Sequence, residues 1–497
     1  MAEIELKFEL PPEAQESFGS VRALAGAQPE RTRLFAMYFD TPGHELAKHE
    51  MAMRLRRSGR RWQQCLKAGA SGTGGLHSRE EWELDRPNAS IDLSLFASTP
   101  LAKLPEAENL HRKLNEIFRV EVARTTWQVE LEPGTRGEVA LDRGTVRNAN
   151  GTESISEIEI ESVEGEPLAV FDFAEKLVGS VPLMASAVTK AQRGYRLARR
   201  DKRAPVKPRP AALEPGMTTL AAARASIAAG IAALQANEAG ALASSDPEYV
   251  HQMRVALRRI RSAVRVFRDV LEPAFAERVK EDLKAFARAT GDARDLDVFA
   301  TETLPPIARV CGEPAAARSL AARVAARRRA AREAMRERLL SPEHTRTMLA
   351  IARWLAQPAE SGAASGGDLR EYAAGKIRSR HKKLVAHGKH AARLAPAARH
   401  RLRIEAKKLR YAVEGFGALF PRKRVKAYVR ALGDIQEDLG RANDAVVGER
   451  LLDGLAPAPA LESFARGWLV SQAHASVARL EGHFERLAQA KRFWEKN

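Results

Sequence analysis

The sequence has little cysteine, only Cys65 and Cys311 among its 497 residues. The two lie far apart in the chain, which excludes a disulfide framework and a zinc site built from closely spaced ligands. No run of about eighteen apolar residues occurs, and the segment MAEIELKFEL carries acids where a secretory signal needs a basic stretch. We therefore expect a folded cytoplasmic protein that does not enter the membrane.

Aromatic residues are also scarce, at 6% of the chain, and no glycine-rich phosphate loop is found. Positive charge is abundant instead, with a net charge of +18. Residues 1–199 contain 26 Lys and Arg against 30 Asp and Glu, which leaves 55 against 33 of the totals of 81 and 63. The basic excess lies behind residue 200 and predicts a polyanionic partner there.

Three segments follow from the patterns along the chain. Residues 1–200 contain short stretches of period-two alternation, such as EIELKF and SEIEIES, and are predicted to be strand-rich. Residues 201–216 contain four prolines and predict a linker. Residues 217–490 are rich in Ala, Leu and Arg at helical spacing and predict an all-α domain. Residues 450–497 show no repeat, and we assign them no role.

Charged side chains share one face of the predicted strands. Glu3, Glu5 and Lys7 alternate with Ile4, Leu6 and Phe8, and the same pattern recurs in later strands. Closing such strands into a barrel would turn both signs of charge inward. Carboxylates on one wall would suit Mg²⁺ or Mn²⁺, and arginines on the other would suit phosphate oxygens. A sheet with a solvated outer face is the alternative for any single strand.

These residues resemble the signature of the CYTH, or triphosphate tunnel metalloenzyme, superfamily, which begins ExExK. The segments MRLRR, CLK, REEWE, ALDRG, SEIEIE and TKAQRGY follow in the family's order. The resemblance implies an eight-stranded antiparallel tunnel that cleaves a triphosphate with a divalent metal. It implies metal binding by Glu3, Glu5, Glu157 and Glu159, substrate binding by Lys7, Arg54, Arg56, Lys67, Arg124 and Lys190, and catalytic roles for Glu5, Lys7, Glu81, Glu83 and Asp142.

The helical half contains an internal repeat. Aligning His251 with His400 also aligns the segments GDARD and GRAND, at the same offset. On each predicted helix the basic residues follow helical spacing and share one stripe, where like charges repel unless an anion is bound. We expect two pseudo-symmetric helical bundles that bind polyphosphate through His251, Arg254, Arg258, Arg261, Lys376, Arg380, His400, Arg403, Lys407 and Arg410. A solvated basic surface is the alternative.

This half resembles the CHAD domain, a histidine-containing helical domain that commonly follows CYTH domains and is associated with polyphosphate. Together the two resemblances imply a metal-dependent inorganic triphosphatase of the cytoplasm, with polyphosphate granules as a further location. The alternatives are thiamine triphosphatase, adenylate cyclase, and a polyphosphate-docking protein without hydrolysis. Nucleic acid is a disfavoured partner because aromatics for base stacking are few. The sequence leaves the preferred chain length, the choice of metal and the oligomeric state open.

Overall fold

The computed structural model describes residues 4–69, 72–77, 80–104, 109–358 and 368–495. Two compact units divide the chain, one comprising Met1–Ala204 with Leu339–Pro358 and the other Pro205–Arg338 with Ala359–Asn497. The first is built on an antiparallel sheet, and the second is helical. The predicted fold class, a strand tunnel followed by an all-α domain, is confirmed.

The described residues of the N-terminal unit form eight longer strands and two strands of two residues each. Its elements are β1 (Glu5–Glu9), β2 (Pro29–Asp40), α1 (Glu45–Lys48), β3 (Met51–Ser58), β4 (Arg61–Ala68), β5 (Leu76–His77), β6 (Glu80–Arg86), α2 (Leu110–Lys113), β7 (Asn115–Glu132), β8 (Thr135–Asn148), β9 (Gly151–Glu164), α3 (Ala169–Leu177), β10 (Met184–Ala185) and α4 (Lys190–Ala198).

The strands follow the order β10-β1-β9-β8-β7-β2-β3-β4-β6. β5 pairs with β1, while β6, next along the chain, pairs with β4 at the other side of the sheet. The sheet is therefore curled, because the short segment that contains β5 and β6 pairs with strands near both of its edges. Apolar side chains such as Leu6 and Phe8 are fully buried on the outer face, and the charged side chains alternate with them toward the inside.

The helical unit contains α5 (Thr219–Ala243), α6 (Pro247–Val266), α7 (Pro273–Val298), α8 (Leu304–Val310) and α9 (Pro314–Leu339). A single π-helical segment, Phe299–Thr303, joins α7 to α8. After α10 (Pro342–Ala356) come α11 (Leu369–Gly388), α12 (Pro396–Gly415), α13 (Arg422–Leu455), α14 (Pro459–Ala478) and α15 (Leu480–Gln489).

The helix boundaries repeat at the offset that separates His251 from His400. α6 and α12 begin at Pro247 and Pro396, and α7 and α13 begin at Pro273 and Arg422, so both pairs are 149 residues apart. Proline is the first residue of α6, α7 and α12, where a backbone N–H is not required, and Pro421 directly precedes α13. Residues 450–497, which were assigned no role, add α14 and α15 to the packing of this unit.

One helix inserted in the second half of the sequence packs with the N-terminal unit. α10 lies against α3 and β10, where Thr345 donates a hydrogen bond to the Leu183 carbonyl. Arg353 donates two hydrogen bonds to Asp172, at 2.5 and 3.0 Å. Sequence periodicity alone gave no sign that this helix belongs to the first unit.

Among the described helices, α5 alone is long and apolar enough to cross a membrane by length and composition. Half of its most apolar stretch is buried within the protein, and its residues Ile227, Ile231 and Leu234 are fully buried. Core helices of soluble proteins pass the same test, so α5 is weak evidence for a membrane span.

Candidate functional site

The curled sheet encloses a cavity of about 510 Å³. Charged residues from both walls line it, together with a few apolar side chains from β2 and β7. The lining includes the predicted site residues Glu5, Lys7, Arg54, Arg56, Lys67, Glu81, Glu83, Arg124, Asp142, Glu159 and Lys190. Glu3 lies outside the described residues.

Strand register brings the predicted acidic wall together. Asp142 on β8 is paired with Glu157 on β9, and Lys7 on β1 is paired with Glu159 two residues further along β9. Carboxylate oxygens of Asp142, Glu157 and Glu159 all lie within 4.8 Å of one another. Three acids separated by up to 17 positions in sequence thus form one compact group.

Three cations neutralise this group. Lys190 Nζ lies 2.6 Å from Asp142 Oδ2 and 2.9 Å from Glu159 Oε1, and it also contacts Glu157. Lys7 Nζ lies 2.6 Å from Glu159 Oε1. Arg124 donates two hydrogen bonds of 2.7 Å to Asp142 and also contacts Glu159. The acidic wall is therefore an ion-pair network.

The ion pairs of this network shift the pKa values of Glu159 and Lys190. Burial acts to raise the pKa of Glu159, but Lys190, Lys7 and Arg124 hold it well below its usual value. Burial likewise opposes the charge on Lys190, whose pKa nevertheless lies well above its usual value because of Asp142, Glu157 and Glu159. Glu159 and Lys190 therefore stay charged near neutral pH, so the cavity holds fixed charges of both signs.

Among the described residues of the acidic wall, two carboxylate oxygens have no hydrogen-bond partner. Glu5 Oε1 and Glu157 Oε2 are buried and unpartnered, although Glu5 Oε1 lies 3.4 Å from Lys7 Nζ. Burial raises the pKa of Glu5, and Lys7 offsets only part of that effect. Unsatisfied buried oxygens beside a carboxylate trio are the hard donors that Mg²⁺ or Mn²⁺ accepts, so these residues fit a divalent cation.

The opposite wall carries the predicted basic residues, each paired with a carboxylate. Lys67 Nζ lies 2.5 Å from Glu81, Arg54 lies 3.4 Å from the same carboxylate, and Arg56 contacts Glu83. Burial acts to raise the pKa of Glu81, but the charges of Lys67 and Arg54 outweigh burial and lower that pKa to about 2. Glu81 and Glu83 therefore hold the basic side chains in position along β3 and β4.

Cys65 belongs to this wall, which the sequence analysis did not foresee. Its thiol is buried and donates a hydrogen bond of 3.0 Å to Glu81 Oε1. Burial raises the pKa of Cys65 to about 12. The thiol is therefore protonated and acts as a hydrogen-bond donor.

Helix α4 places Lys190 in the cavity. The Thr189 side chain caps the helix by accepting from the Gln192 backbone N–H, and the Gln192 side chain in turn accepts from the Thr189 backbone N–H. Gly194 lets the helix lie directly on the ring of Phe118, because a Cβ at this position would be 2.2 Å from that ring. The resemblance also included Arg193, but this side chain pairs with Glu9 and Glu153, at 2.8 and 3.0 Å.

Sequence reasoning also missed Glu138, Tyr38 and His77 in the cavity lining. Glu138 lies four residues before Asp142, on the same face of β8, so the alternation in GEVALD was a usable signal. Tyr38 follows from the same period along β2. His77 lies in the two-residue strand β5, which has too little pattern to be recognised.

In the helical unit, α6 and α12 contact each other and bring together part of the predicted basic stripe. Arg254 donates a 2.8 Å hydrogen bond to the Ala287 carbonyl, and Arg258 donates one of 2.8 Å to the Tyr411 hydroxyl. Arg403 and Lys407 of α12 face these two arginines. We call Arg254, Arg258, Arg403 and Lys407 the central basic cluster.

Burial and repulsion between cations lower the pKa of three members of this cluster, Arg254, Arg403 and Lys407. Burial, followed by the charges of Arg403 and Arg258, lowers the pKa of Lys407 to about 7. Burial and Arg258 lower the pKa of Arg254 to about 10. Asp295 and Asp444, the repeated aspartates of GDARD and GRAND, act in the opposite direction without restoring ordinary values. The two aspartates therefore do not neutralise the positive charge of the cluster.

His251 precedes Arg254 by three residues on α6 and lies beside this cluster, whereas the other remaining predicted polyphosphate-binding residues lie near other arginines or are paired. Burial and Arg265 lower the pKa of Arg261 and of Arg380, which places these three near each other. Lys376 contacts Asp269, and Arg410 lies 2.7 Å from Glu414. The ring of His400 shares a hydrogen bond of 2.7 Å with Asn443. Burial, then Arg294, lowers the pKa of His251.

Comparisons with known proteins agree with this architecture. A CYTH domain model matches residues 1–195, and a CHAD domain model matches residues 225–453. The crystal structure of the CHAD domain from the plant Ricinus communis is 33% identical, with a TM-score of 0.51, and the match covers 57% of this chain and 96% of that one.

An inorganic triphosphatase of Haemophilus influenzae is 34% identical over 162 residues. The match covers 32% of this chain and 44% of the relative, so the chain spans less than half of that curated protein. The predicted order of the two domains is confirmed.

Proposed function

We propose that this chain, which belongs to the CHAD family and carries a CYTH domain before its CHAD domain, hydrolyses inorganic triphosphate and binds longer phosphate chains. The observation that carries the proposal is the pairing of two oppositely charged walls within one cavity of about 510 Å³. Phosphoryl transfer depends mainly on positioning and on charge neutralisation, which such a cavity supplies.

The basic side chains would bind the substrate. Lys67, Arg54 and Arg56 are held by Glu81 and Glu83, whose carboxylates a triphosphate would replace as partners. Guanidinium groups suit this exchange because they bind phosphate oxygens as they bind carboxylates, with two parallel hydrogen bonds. Glu81 and Glu83 would then be free to orient water beside the substrate.

On the acidic wall, Lys7, Lys190 and Arg124 would turn toward the phosphates. Their carboxylate partners, Glu159 and Asp142, would keep the three cations in reach of the substrate. In the reaction, water adds to the terminal phosphorus, the bridging P–O bond breaks, and pyrophosphate leaves. The cations stabilise the negative charge that develops on the leaving oxygen.

A divalent cation would be held by Glu5, Glu157 and Glu159, with Glu3 as a further ligand. The unpartnered oxygens of Glu5 and Glu157 favour this assignment. When bound, Mg²⁺ or Mn²⁺ supplies charge neutralisation of the phosphate oxygens and lowers the pKa of coordinated water.

The central basic cluster supports polyphosphate binding by the helical unit. Four cationic side chains approach one another there, although burial and repulsion lower the pKa of Arg254, Arg403 and Lys407. A bound polyanion would relieve that repulsion. Several phosphates along the chain could do so, so binding would not require one phosphate at a fixed position.

The test is phosphate release by the full chain from inorganic triphosphate, with Mg²⁺, Mn²⁺ or EDTA. ATP and thiamine triphosphate serve as comparison substrates, since the same two walls would serve a nucleotide cyclase or a thiamine triphosphatase. Metal-dependent release that is fastest from inorganic triphosphate supports the proposal. Binding of polyphosphate at physiological ionic strength without any release would leave a docking protein instead.

A further inference from the structure

Ser186, which lies between β10 and α4, joins three parts of the N-terminal unit. Its backbone N–H donates a hydrogen bond of 2.9 Å to the carbonyl of Lys7 on β1. Its hydroxyl donates a longer one, of 3.4 Å, to Glu9 on the same strand. Its own carbonyl lies 3.0 Å from Nε2 of His77 on β5, and both residues are buried. Ser186 is therefore fixed to β1 and to β5 at once.

The carbonyl of Ser186 determines the direction of the His77 ring. A carbonyl oxygen only accepts hydrogen bonds, so Nε2 of His77 carries a proton. His77 also lines the tunnel cavity, where it is paired with Glu5 across β5 and β1. Rotation of the ring would break the bond to Ser186. His77 thus connects the tunnel wall at β5 with the segment that leads into α4.

That segment, residues 183–189, ends at the helix that carries Lys190. The Val188 backbone N–H donates a hydrogen bond of 3.3 Å to the Ser186 hydroxyl, and Thr189 is the N-cap of α4. Three residues separate Ser186 from Lys190, the first residue of α4. A displacement of Ser186 would therefore move the start of α4, and Lys190 with it.

Two lysines of the acidic wall depend on Ser186. Lys190 Nζ and Lys7 Nζ lie 2.9 and 2.6 Å from the same oxygen, Oε1 of Glu159. The Lys7 carbonyl accepts from Ser186, and Lys190 follows Ser186 closely along the chain. One buried residue therefore sets the positions from which both ammonium groups reach Glu159.

Helix α10 supports the same arrangement. The hydroxyl of Thr345, which is fully buried, donates a hydrogen bond to the Leu183 carbonyl, three residues before Ser186. Gly74, in the loop before β5, packs directly on α10, since a Cβ there would lie 2.9 Å from the Cβ of Ala352. α10 thus contacts both of the segments that the hydrogen bond between His77 and Ser186 joins.

We infer that His77 is a positioning residue, which holds Ser186 and thereby keeps Lys190 at the place from which its ammonium group reaches the substrate. The inference rests on the proposed function, which makes Lys190 a substrate-binding cation. A displacement of about 1 Å in such a group lowers a reaction rate by about a hundredfold. The alternative is that His77 contributes to the stability of the fold alone.

The experiment compares kcat and KM for tripolyphosphate in the full-length wild type, His77→Gln and His77→Asn. The amide nitrogen of Gln reaches the position of Nε2 and can donate to Ser186, whereas that of the shorter Asn lies near the position of Nδ1. His77→Gln should keep kcat within about threefold of the wild type, and His77→Asn should lower kcat by about a hundredfold with a smaller change in KM. In a Lys190→Met background, His77→Asn should cost less than about threefold more, because its effect passes through Lys190.

Amine labelling measures the position of Lys190 without hydrolysis. An amine-reactive reagent followed by mass spectrometry compares Lys190 with Lys67, which lies on the opposite wall and serves as the internal reference. The ratio of Lys190 to Lys67 labelling should rise about tenfold in His77→Asn and stay at the wild-type value in His77→Gln. Gln64→Met is the matched control, because it removes buried hydrogen bonds to Asp92 but leaves the segment 183–189 intact, so it should not change the ratio.

Equal losses of kcat in His77→Gln and His77→Asn would overturn the inference and leave His77 a structural role alone. An undiminished effect of His77→Asn in the Lys190→Met background would do the same. If the wild type does not hydrolyse tripolyphosphate, the proposed function fails, and the labelling ratio then decides the role of His77. A rise in His77→Asn alone supports the placement of Lys190 by His77, and an unchanged ratio, or a rise in Gln64→Met as well, contradicts it.

Discussion

Polyphosphate binding by the helical unit should take up a proton at Lys407. In the free protein this ammonium group is largely buried beside Arg403 and Arg258, which together with burial lower its pKa to about 7. A bound polyanion adds negative charge at the same place and raises that pKa toward its ordinary value. The bound state therefore carries a proton that the free state loses above about pH 7.

The sign and size of the effect follow from linkage. Above the pKa of the free state, binding requires proton uptake, so affinity falls as pH rises. Each pH unit corresponds to about 1.4 kcal/mol, or up to about tenfold in the dissociation constant. Below about pH 7 the group is protonated in both states, and the dependence disappears.

Fluorescence anisotropy with long-chain polyphosphate between about pH 7 and 9, at constant physiological ionic strength, measures this dependence. Internal phosphates of a long chain stay ionised over that range, so the slope reports on the protein. Burial lowers the pKa of His251 in the free protein, so this ring is neutral there over the same range.

Lys407→Arg is the decisive control, because a guanidinium stays charged over the whole range. This variant should bind as tightly as the wild type near pH 7 and keep that affinity at high pH. A flat wild-type profile, or a slope that persists in Lys407→Arg, would refute the proton uptake at this residue.

Three further predictions concern the N-terminal unit. Glu159→Gln should lower kcat by at least about a hundredfold, because this one carboxylate holds Lys7, Arg124 and Lys190. Polyphosphate binding by the helical unit shows whether the variant is folded. Turnover at the wild-type rate would contradict the assignment of Glu159 as a metal ligand. Gly194→Ala should cost about 1–3 kcal/mol in thermal unfolding, since its Cβ would overlap Phe118, whereas Gly433→Ala, with open space around it, should not destabilise. A thiol reagent should modify Cys311 before Cys65 in the native protein, because burial keeps the Cys65 thiol protonated. Faster reaction at Cys65 would show that its hydrogen bond to Glu81 is absent.

Alternation along the strands predicted many of the charged side chains that enter the tunnel. Lys7, Arg54 and Glu159 lie on the inner face because every second residue of a strand points the same way. Alternation carries no information on register between distant strands. Asp142 lies opposite Glu157 because of the register between β8 and β9. Lys190 contacts both carboxylates because α4 packs against Phe118.

The internal repeat predicted the positions of helices well, since α6 and α12 follow the same offset as the histidines. It could not show which part of each basic stripe faces the partner helix. Only tertiary packing separates Arg254 and Arg258, which meet Arg403 and Lys407, from Arg261, which lies near Arg265.

The position of α10 has a consequence for synthesis of the chain. This helix belongs to the N-terminal unit, yet its residues follow Ala204 by more than a hundred positions. At ordinary translation rates of about 5–20 residues per second, the ribosome needs roughly ten to thirty seconds to reach Pro358 after Ala204. During that interval the nascent tunnel lacks the helix that covers α3 and β10, so an expressed fragment that stops at the proline-rich segment would expose this face permanently.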